Sequence, residues 1–310
     1  MTRLKQMLFQ SAPARFLLGL AGRIHLPGFE GMSLREAGGL FFSRIGKVKL
    51  SERVAAVTYN LLMAIPPGML FLFSLVPYLP LRHVEQTILS TLNLVVPNER
   101  VRDTLSSVIV DFMNTERTDL LSFGILGALF FSSNGMMGLM RSFDRSLSVY
   151  RERTGLKRRW TAIKLTFMLI WVVIFAIAVF ILQTQWLNVW LIRIFGSTLA
   201  IRLCSLLLLA LIMFCSISLV YTYGPSLSHR FRFVSPGSVF ATVLIILVTT
   251  VFFYLVNNFI NYNQIYGSIG SLIAFMVWMW LNTLIILVGY ELNVSILLGK
   301  IKEHEAGQKN

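Results

Sequence analysis

Five stretches of this 310-residue chain contain no Asp, Glu, Lys or Arg. They run between Arg53 and Arg82, Asp119 and Arg141, Lys164 and Arg193, Arg202 and Arg230, and Arg232 and Glu291. A helix crosses a bilayer with about 20 apolar residues. The first four stretches therefore hold one crossing each, and the last holds two with a turn between them. The expected spans are Val54–Tyr78, Leu121–Met140, Thr161–Gln183, Leu199–Tyr221, Ser238–Asn257 and Ile269–Leu297. Composition agrees: 55% of residues are hydrophobic and 14% charged, where soluble domains carry roughly 25% charged residues. The fold class is all-α, a polytopic membrane protein of six transmembrane helices.

The basic residues orient it. Of the 28 Lys and Arg, 21 fall on the side of the two termini and 5 on the other, with Lys164 and Arg202 inside span ends. By the positive-inside rule both termini face the cytoplasm. The net charge of +14 is then a consequence of topology, with attraction to anionic headgroups as a by-product. It does not point to nucleic acid. Arg15 interrupts the apolar run of "MTRLKQMLFQSAPARFLLGLAGR", so the start reads as an interfacial amphipathic helix rather than a cleaved leader. Cys204 and Cys215 share a helix face about 16 Å apart along the axis, too far to pair.

Three parts follow. Residues 1–53 form a cytoplasmic, interfacial amphipathic segment, 54–298 the membrane domain, and 299–310 a cytoplasmic tail. Within the membrane domain, 82–118 forms an outer cap of short amphipathic helices. There Val101, Leu105, Val108 and Phe112 recur on one helical face.

Polar residues inside spans face protein or water rather than lipid, so each one is a candidate. Span one carries Asn60 and the adjacent Pro66 and Pro67, and span two Ser133 and Asn134. Span six carries Asn282 and ends in "GYELN", where Gly289 and Asn293 lie on the side of Asn282 and Glu291 on the opposite side. The asparagines have two readings, interhelical hydrogen bonding or the lining of a hydrated cavity. Glu291 also has two, a helix-end acid paired with a Lys or Arg, or a buried proton or cation site. The two prolines are expected to open the backbone of span one, which membrane depth tolerates only where protein or a cavity covers it. The connection "NNFINYNQIYGSIGS" is rich in amides and free of charge. That suits packing into a mouth, with Tyr266 and Gly267 as an outer gate.

No catalytic constellation emerges. His25, His83, His229 and His304 are scattered over both sides of the membrane, and no Walker loop, nucleophile elbow or H-E-x-x-H occurs. No metal, cofactor or enzymatic activity is expected.

The segments "AVTYNLLMAIPP", "MRSFDRSL" and, above all, "YGSIGSLIAFMVWMWLNTLIILVGYELN" resemble the YihY/BrkB family of bacterial inner-membrane proteins. The likeness covers most of residues 50–298. Tyr290 stands where the family more usually has a small residue, and the second proline is a further departure. The resemblance implies a multi-pass protein of the bacterial inner membrane, with virulence attached to one branch. It also brings an older ribonuclease label, to which the chemistry above gives no support.

The expected function is that of a transporter or lipid-handling protein. Its path runs between spans one, two and six past Asn60, Pro66, Pro67, Ser133, Asn134, Asn282 and Asn293, with Tyr266 and Gly267 outside and Glu291 as an inner polar anchor. The alternative is a non-transporting scaffold or envelope-integrity factor, whose basic face of Arg141, Arg145, Lys157, Arg158 and Arg159 recruits partners or anionic lipid. Expected partners are membrane lipids and an amphiphilic or small-molecule substrate, with homo-oligomerisation left open.

Overall fold

The computed structural model describes residues 32–46, 49–75, 118–145, 154–182, 198–227, 230–259 and 269–307, with a few single positions between 89 and 110. Seven α-helices occupy them: α1 Leu34–Ile45, α2 Leu50–Leu75, α3 Thr118–Asp144, α4 Gly155–Leu182, α5 Thr198–Tyr223, α6 Pro236–Phe259 and α7 Ile269–Gly307. Residues 1–31, Tyr266, Gly267 and most of the 82–118 cap lie outside the described residues.

Four of the helices contain segments long and apolar enough to cross a membrane: Gly155–Val179, Leu203–Tyr223, Pro236–Val256 and Leu272–Ile301. Helices α2 and α3 have 26 and 27 residues, about 40 Å each at 1.5 Å per residue. Large apolar side chains such as Trp171, Phe175, Leu207, Val243 and Tyr254 stand exposed on the outer faces, as a lipid-facing surface requires.

The helices run past the expected spans at the end where basic residues gather. Helix α2 starts at Leu50 rather than Val54, α3 continues to Asp144, and α4 begins at Gly155. A charge marks where hydrocarbon ends, but a helix satisfies its own backbone on either side of that boundary. The helix therefore continues through the boundary and carries Arg53, Asp144, Arg158 and Arg159 on ordered turns.

Helix starts follow local chemistry. At α1, Ser33 Oγ accepts from the Glu36 N–H at 3.3 Å, and the Glu36 carboxylate accepts from the Ser33 N–H at 3.0 Å. This is a capping box written as Ser-Leu-Arg-Glu. At α6 the sequence "SPGS" does the same with serine. The Ser238 N–H donates to Ser235 Oγ and the Ser235 N–H to Ser238 Oγ, with Pro236 at the first helical position.

The expected opening of span one at Pro66 and Pro67 is corrected by the structure: α2 runs unbroken through both. Proline's fixed φ is compatible with a helix, and the cost is two lost N–H donors and the crowding of each ring against the carbonyl four residues before. The carbonyls deprived of them are those of Leu62 and Met63. Packing against α3 holds α2 in place. A Cβ on Gly135 would meet Leu61 at 2.9 Å, and one on Gly138 would meet Asn60 at 2.7 Å, so only glycine admits α2 this closely.

Helices α2 to α7 form a ring. Each packs on the next in chain order and α7 returns to α2, while α1 lies on α7. Ala37 and Leu40 of α1, with Met32 just before it, seat against Ile296 and Gly299 of α7, and Phe41 meets Phe240 of α6 edge-on. The opposite face of α1 presents Phe42, 73% exposed.

Among the described side chains, the core occupies the basic end of this ring. Moving away from that end, the buried positions on α2 to α7 stop at Thr58, Ser133, Leu165, Ile217, Ile245 and Thr283. Beyond them, among the described side chains of these helices, only Gly270 is buried. Phe143, Tyr221 and Tyr290 fill the centre below that layer. Phe143 and Tyr290 stack with ring centres 4.1 Å apart, and Tyr221 meets both edge-on. Tyr290 is thus a core-filling side chain.

Candidate functional site at the basic end of the bundle

Glu291 of α7 is fully buried and ionically paired on both oxygens. Arg53 Nη1 donates to Oε1 at 2.6 Å and Arg44 Nε to Oε2 at 2.8 Å. Arg53 is itself only 7% exposed. Its other donors go to α3, with Nε to Ser142 Oγ at 3.0 Å and Nη2 to the Ser142 carbonyl at 2.8 Å. One carboxylate and one guanidinium therefore join α1, α2, α3 and α7. A buried charge is tolerated when it is paired and its remaining donors are satisfied. The arrangement is the paired-acid reading of Glu291, with the pair fully inside the protein.

The opposite side of α7 makes a second seam. Asn293 Oδ1 accepts from the Gly237 N–H at 2.7 Å and its Nδ2 donates to Ser235 Oγ at 2.9 Å, so the amide ties α7 to the first turn of α6. One turn away, a Cβ on Gly289 would meet Tyr221 Oη at 2.6 Å and Ala241 Cβ at 2.8 Å. Gly237 likewise has no room for a Cβ against the Gly289 carbonyl. Tyr221 Oη donates to the Ile286 carbonyl at 2.6 Å. A third junction lies at the end of α3, where Asp144 accepts from the N–H and hydroxyl of Ser226 at 3.1 and 2.7 Å.

The remaining candidates are not brought together. Asn60 Nδ2 donates to the Ala56 carbonyl of its own helix at 2.7 Å, and Ser133 Oγ to the Phe130 carbonyl at 2.7 Å. Asn134 Oδ1 accepts from Arg159 of α4 at 2.6 Å. Asn282 donates to the Trp278 carbonyl at 2.8 Å and accepts from Thr249 of α6 at 3.4 Å. Three asparagines thus belong to three different helix contacts. Of the basic candidates, Arg141, Arg145 and Lys157 are exposed, Arg158 lies 3.5 Å from Asp144, and Arg159 turns into the bundle.

Sequence reasoning missed Arg44, Arg53, Ser142, Asp144 and Ser226. A signal existed for two of them. Arg53 is the last charge before a 28-residue uncharged run, and Asp144 is the acid within "MRSFDRSL". The other partners are chosen by tertiary placement alone. Among the described residues no group of three or more His, Cys, Asp or Glu converges.

The sequence profile of the family described as virulence factor BrkB matches residues 41–310. The chain is similar to the putative ribonuclease-like protein YfkH of Bacillus subtilis, 31% identical over 82% of this chain and 93% of that one. It is also similar to a UPF0761 membrane protein of Mannheimia succiniciproducens, 23% identical over 87% of this chain and 92% of that protein. Another UPF0761 membrane protein, from Chromohalobacter salexigens, is 26% identical over 78% of this chain and 58% of that protein. No solved structure matches. With a profile match over nearly the whole chain and helices of membrane-spanning length and composition, the protein belongs to the virulence factor BrkB family.

Proposed function

We propose that this is a six-span protein of the bacterial inner membrane, with both termini cytoplasmic, that admits an amphiphile between its helices in the half of the bilayer away from its basic end. The observation that carries this reading is the stop in burial at Thr58, Ser133, Leu165, Ile217, Ile245 and Thr283. Below that layer the ring is filled and cross-linked by Glu291, Asn293 and Asp144. Above it, among the described side chains of these helices, only Gly270 is buried, an arrangement that suits the sites found between helices of bundles. An amphiphile is favoured over a simple ion because none of the residues with described side chains above the layer is charged. Helices α2 and α3 supply the two spans beyond the four most apolar ones.

A single-cysteine scan tests this. Cys204 and Cys215 are replaced by serine, and cysteines are placed one at a time at Asn60, Thr249 and Asn282 above the layer and at Ser142 below it. Membrane-impermeant thiol reagents are then applied from each side. The expected outcome is labelling at the first three from the periplasmic side only, with Ser142 protected. Equal protection of all four positions would leave the amides as packing groups.

The scaffold reading has one observation in its favour, the exposure of Arg141, Arg145 and Lys157 at the basic end. The ribonuclease-like name of the Bacillus relative suggests hydrolysis, but the acids Asp144 and Glu291 are both engaged in buried structural pairs. Neither is placed to activate water. Turnover of RNA by the pure protein would be needed to favour that activity.

A further inference from the structure

Two neighbouring arginines of α4 leave the helix in opposite directions along α3. Arg158 points to Asp144, the last residue of α3. Arg159 reaches the other way, donating from Nη1 to Asn134 Oδ1 at 2.6 Å and from Nη2 to the Phe130 carbonyl. Its guanidinium carbon lies 3.5 Å from the centre of the Phe130 ring. Asn134 stands six residues before Met140, where the uncharged run of α3 ends, about 9 Å along the axis.

This is the wrong direction for an arginine that only needs water. Near a helix end the charge normally turns to the interface while the stem covers apolar surface. The helical Cβ also leans toward the N-terminus, which in α4 is the basic end. Arg159 goes against both tendencies. Asn134 and the Phe130 carbonyl are neutral acceptors, so its positive charge stays whole. Among the described residues no carboxylate pairs with Arg159, and Arg141, of like charge, acts on it electrostatically. The Arg159 Nε is buried with no hydrogen-bond partner. Phe130 and Phe131 beside it are 47% and 54% exposed, so the group opens to the side of the bundle.

We propose that Arg159, held by Asn134 and assisted by Arg141, binds the phosphate-type head of an anionic lipid whose chain lies along Phe130 and Phe131. A phosphate oxyanion matches the planar fork of a guanidinium and supplies the charge that the neutral acceptors do not. The two exposed rings favour a lipid over free phosphate. This inference rests on the six-span reading only for the depth of the site, and not on the space above the buried layer.

The test uses the full chain, purified from vesicles of phosphatidylcholine and phosphatidylglycerol, with retained lipid counted by native mass spectrometry. The wild-type protein is expected to keep phosphatidylglycerol under detergent that strips phosphatidylcholine. Arg159→Gln should lower that retention about ten-fold, the loss of one charge-assisted contact, while Arg230→Gln, at another exposed charge, leaves it unchanged. Should Arg159→Gln fail to fold by gel filtration, Arg159→Lys and Asn134→Ala take its place, with partial loss expected of each. Equal effects at Arg159 and Arg230 would overturn the site in favour of diffuse charge attraction. Binding of inorganic phosphate without lipid retention would overturn the lipid as its source. The cysteine scan is independent of this result, so either proposal can fail alone.

Discussion

The two halves of the bundle use the same kinds of polar residue in different ways. In the basic half many bonds run between helices: Arg53 and Arg44 to Glu291, Arg53 to Ser142, Asn293 to Gly237 and Ser235, and Ser226 to Asp144, beside the bonds of Thr161, Thr242 and Ser295 to their own helices. In the other half most of those described run within one helix. Asn60, Thr166, Ser216 and Thr250 each donate to the carbonyl four residues before. A hydroxyl or amide bonded to its own helix satisfies its need in hydrocarbon without fixing that helix to another. The first half is therefore stitched and the second is only packed. The exceptions are the Trp278–Thr249–Asn282 chain between α6 and α7 and the Arg159 bonds to α3.

The comparison breaks most readily at the α6–α7 seam. Gly289→Leu puts a side chain where even a Cβ overlaps Tyr221, Ala241 and Gly237. It is expected to abolish folded protein, read as loss of the monodisperse peak in size-exclusion chromatography. Next in size is Glu291→Leu, which leaves Arg53 buried without its carboxylate and should destabilise by about 3–5 kcal/mol, measured as thermal unfolding in detergent. Replacing Glu291, Arg53 and Arg44 together by Leu, Met and Leu should recover much of that loss, because the uncompensated charge is the larger part of it. Asn293→Leu removes two bonds from the first turn of α6 and should cost about 1–3 kcal/mol. In the other half the effect should be smallest. Thr249→Val is expected to change stability by about 0.6 kcal/mol, the average for a polar contact between membrane helices. A loss at Thr249 as large as that at Asn293 would remove the distinction between the halves.

Much of the helical framework could be read from the sequence, since an uncharged run of that length leaves a chain few alternatives. The two-sided character of α7 was legible as well, because the angular spacing within "GYELN" separates Glu291 from Gly289 and Asn293 whatever they touch. The partners were not legible. Arg53 and Glu291 are 238 residues apart, and no local pattern selects one arginine among many. Pro66 and Pro67 misled for a different reason. Propensity describes what a helix loses at proline, while the close approach of Gly135 and Gly138 supplies packing that propensity does not count. The asparagines were ambiguous in sequence because an amide serves equally well within a helix, as at Asn60, or between helices, as at Asn293.

The place of Glu291 along the chain sets an order on biogenesis. Ribosomes deliver helices in sequence, so α1 and α2, with Arg44 and Arg53, are made long before the residue that pairs with both. Helices α2 and α3 can pair early through their glycines, but the carboxylate that Arg44 and Arg53 share comes only with the last helix. The arrival of α7 brings that one negative charge to both arginines, closes the ring onto α2 and gives α1 its seat. A chain stalled or truncated before Glu291 therefore lacks the carboxylate that joins Arg44 to Arg53 and leaves the ring open between α2 and α6.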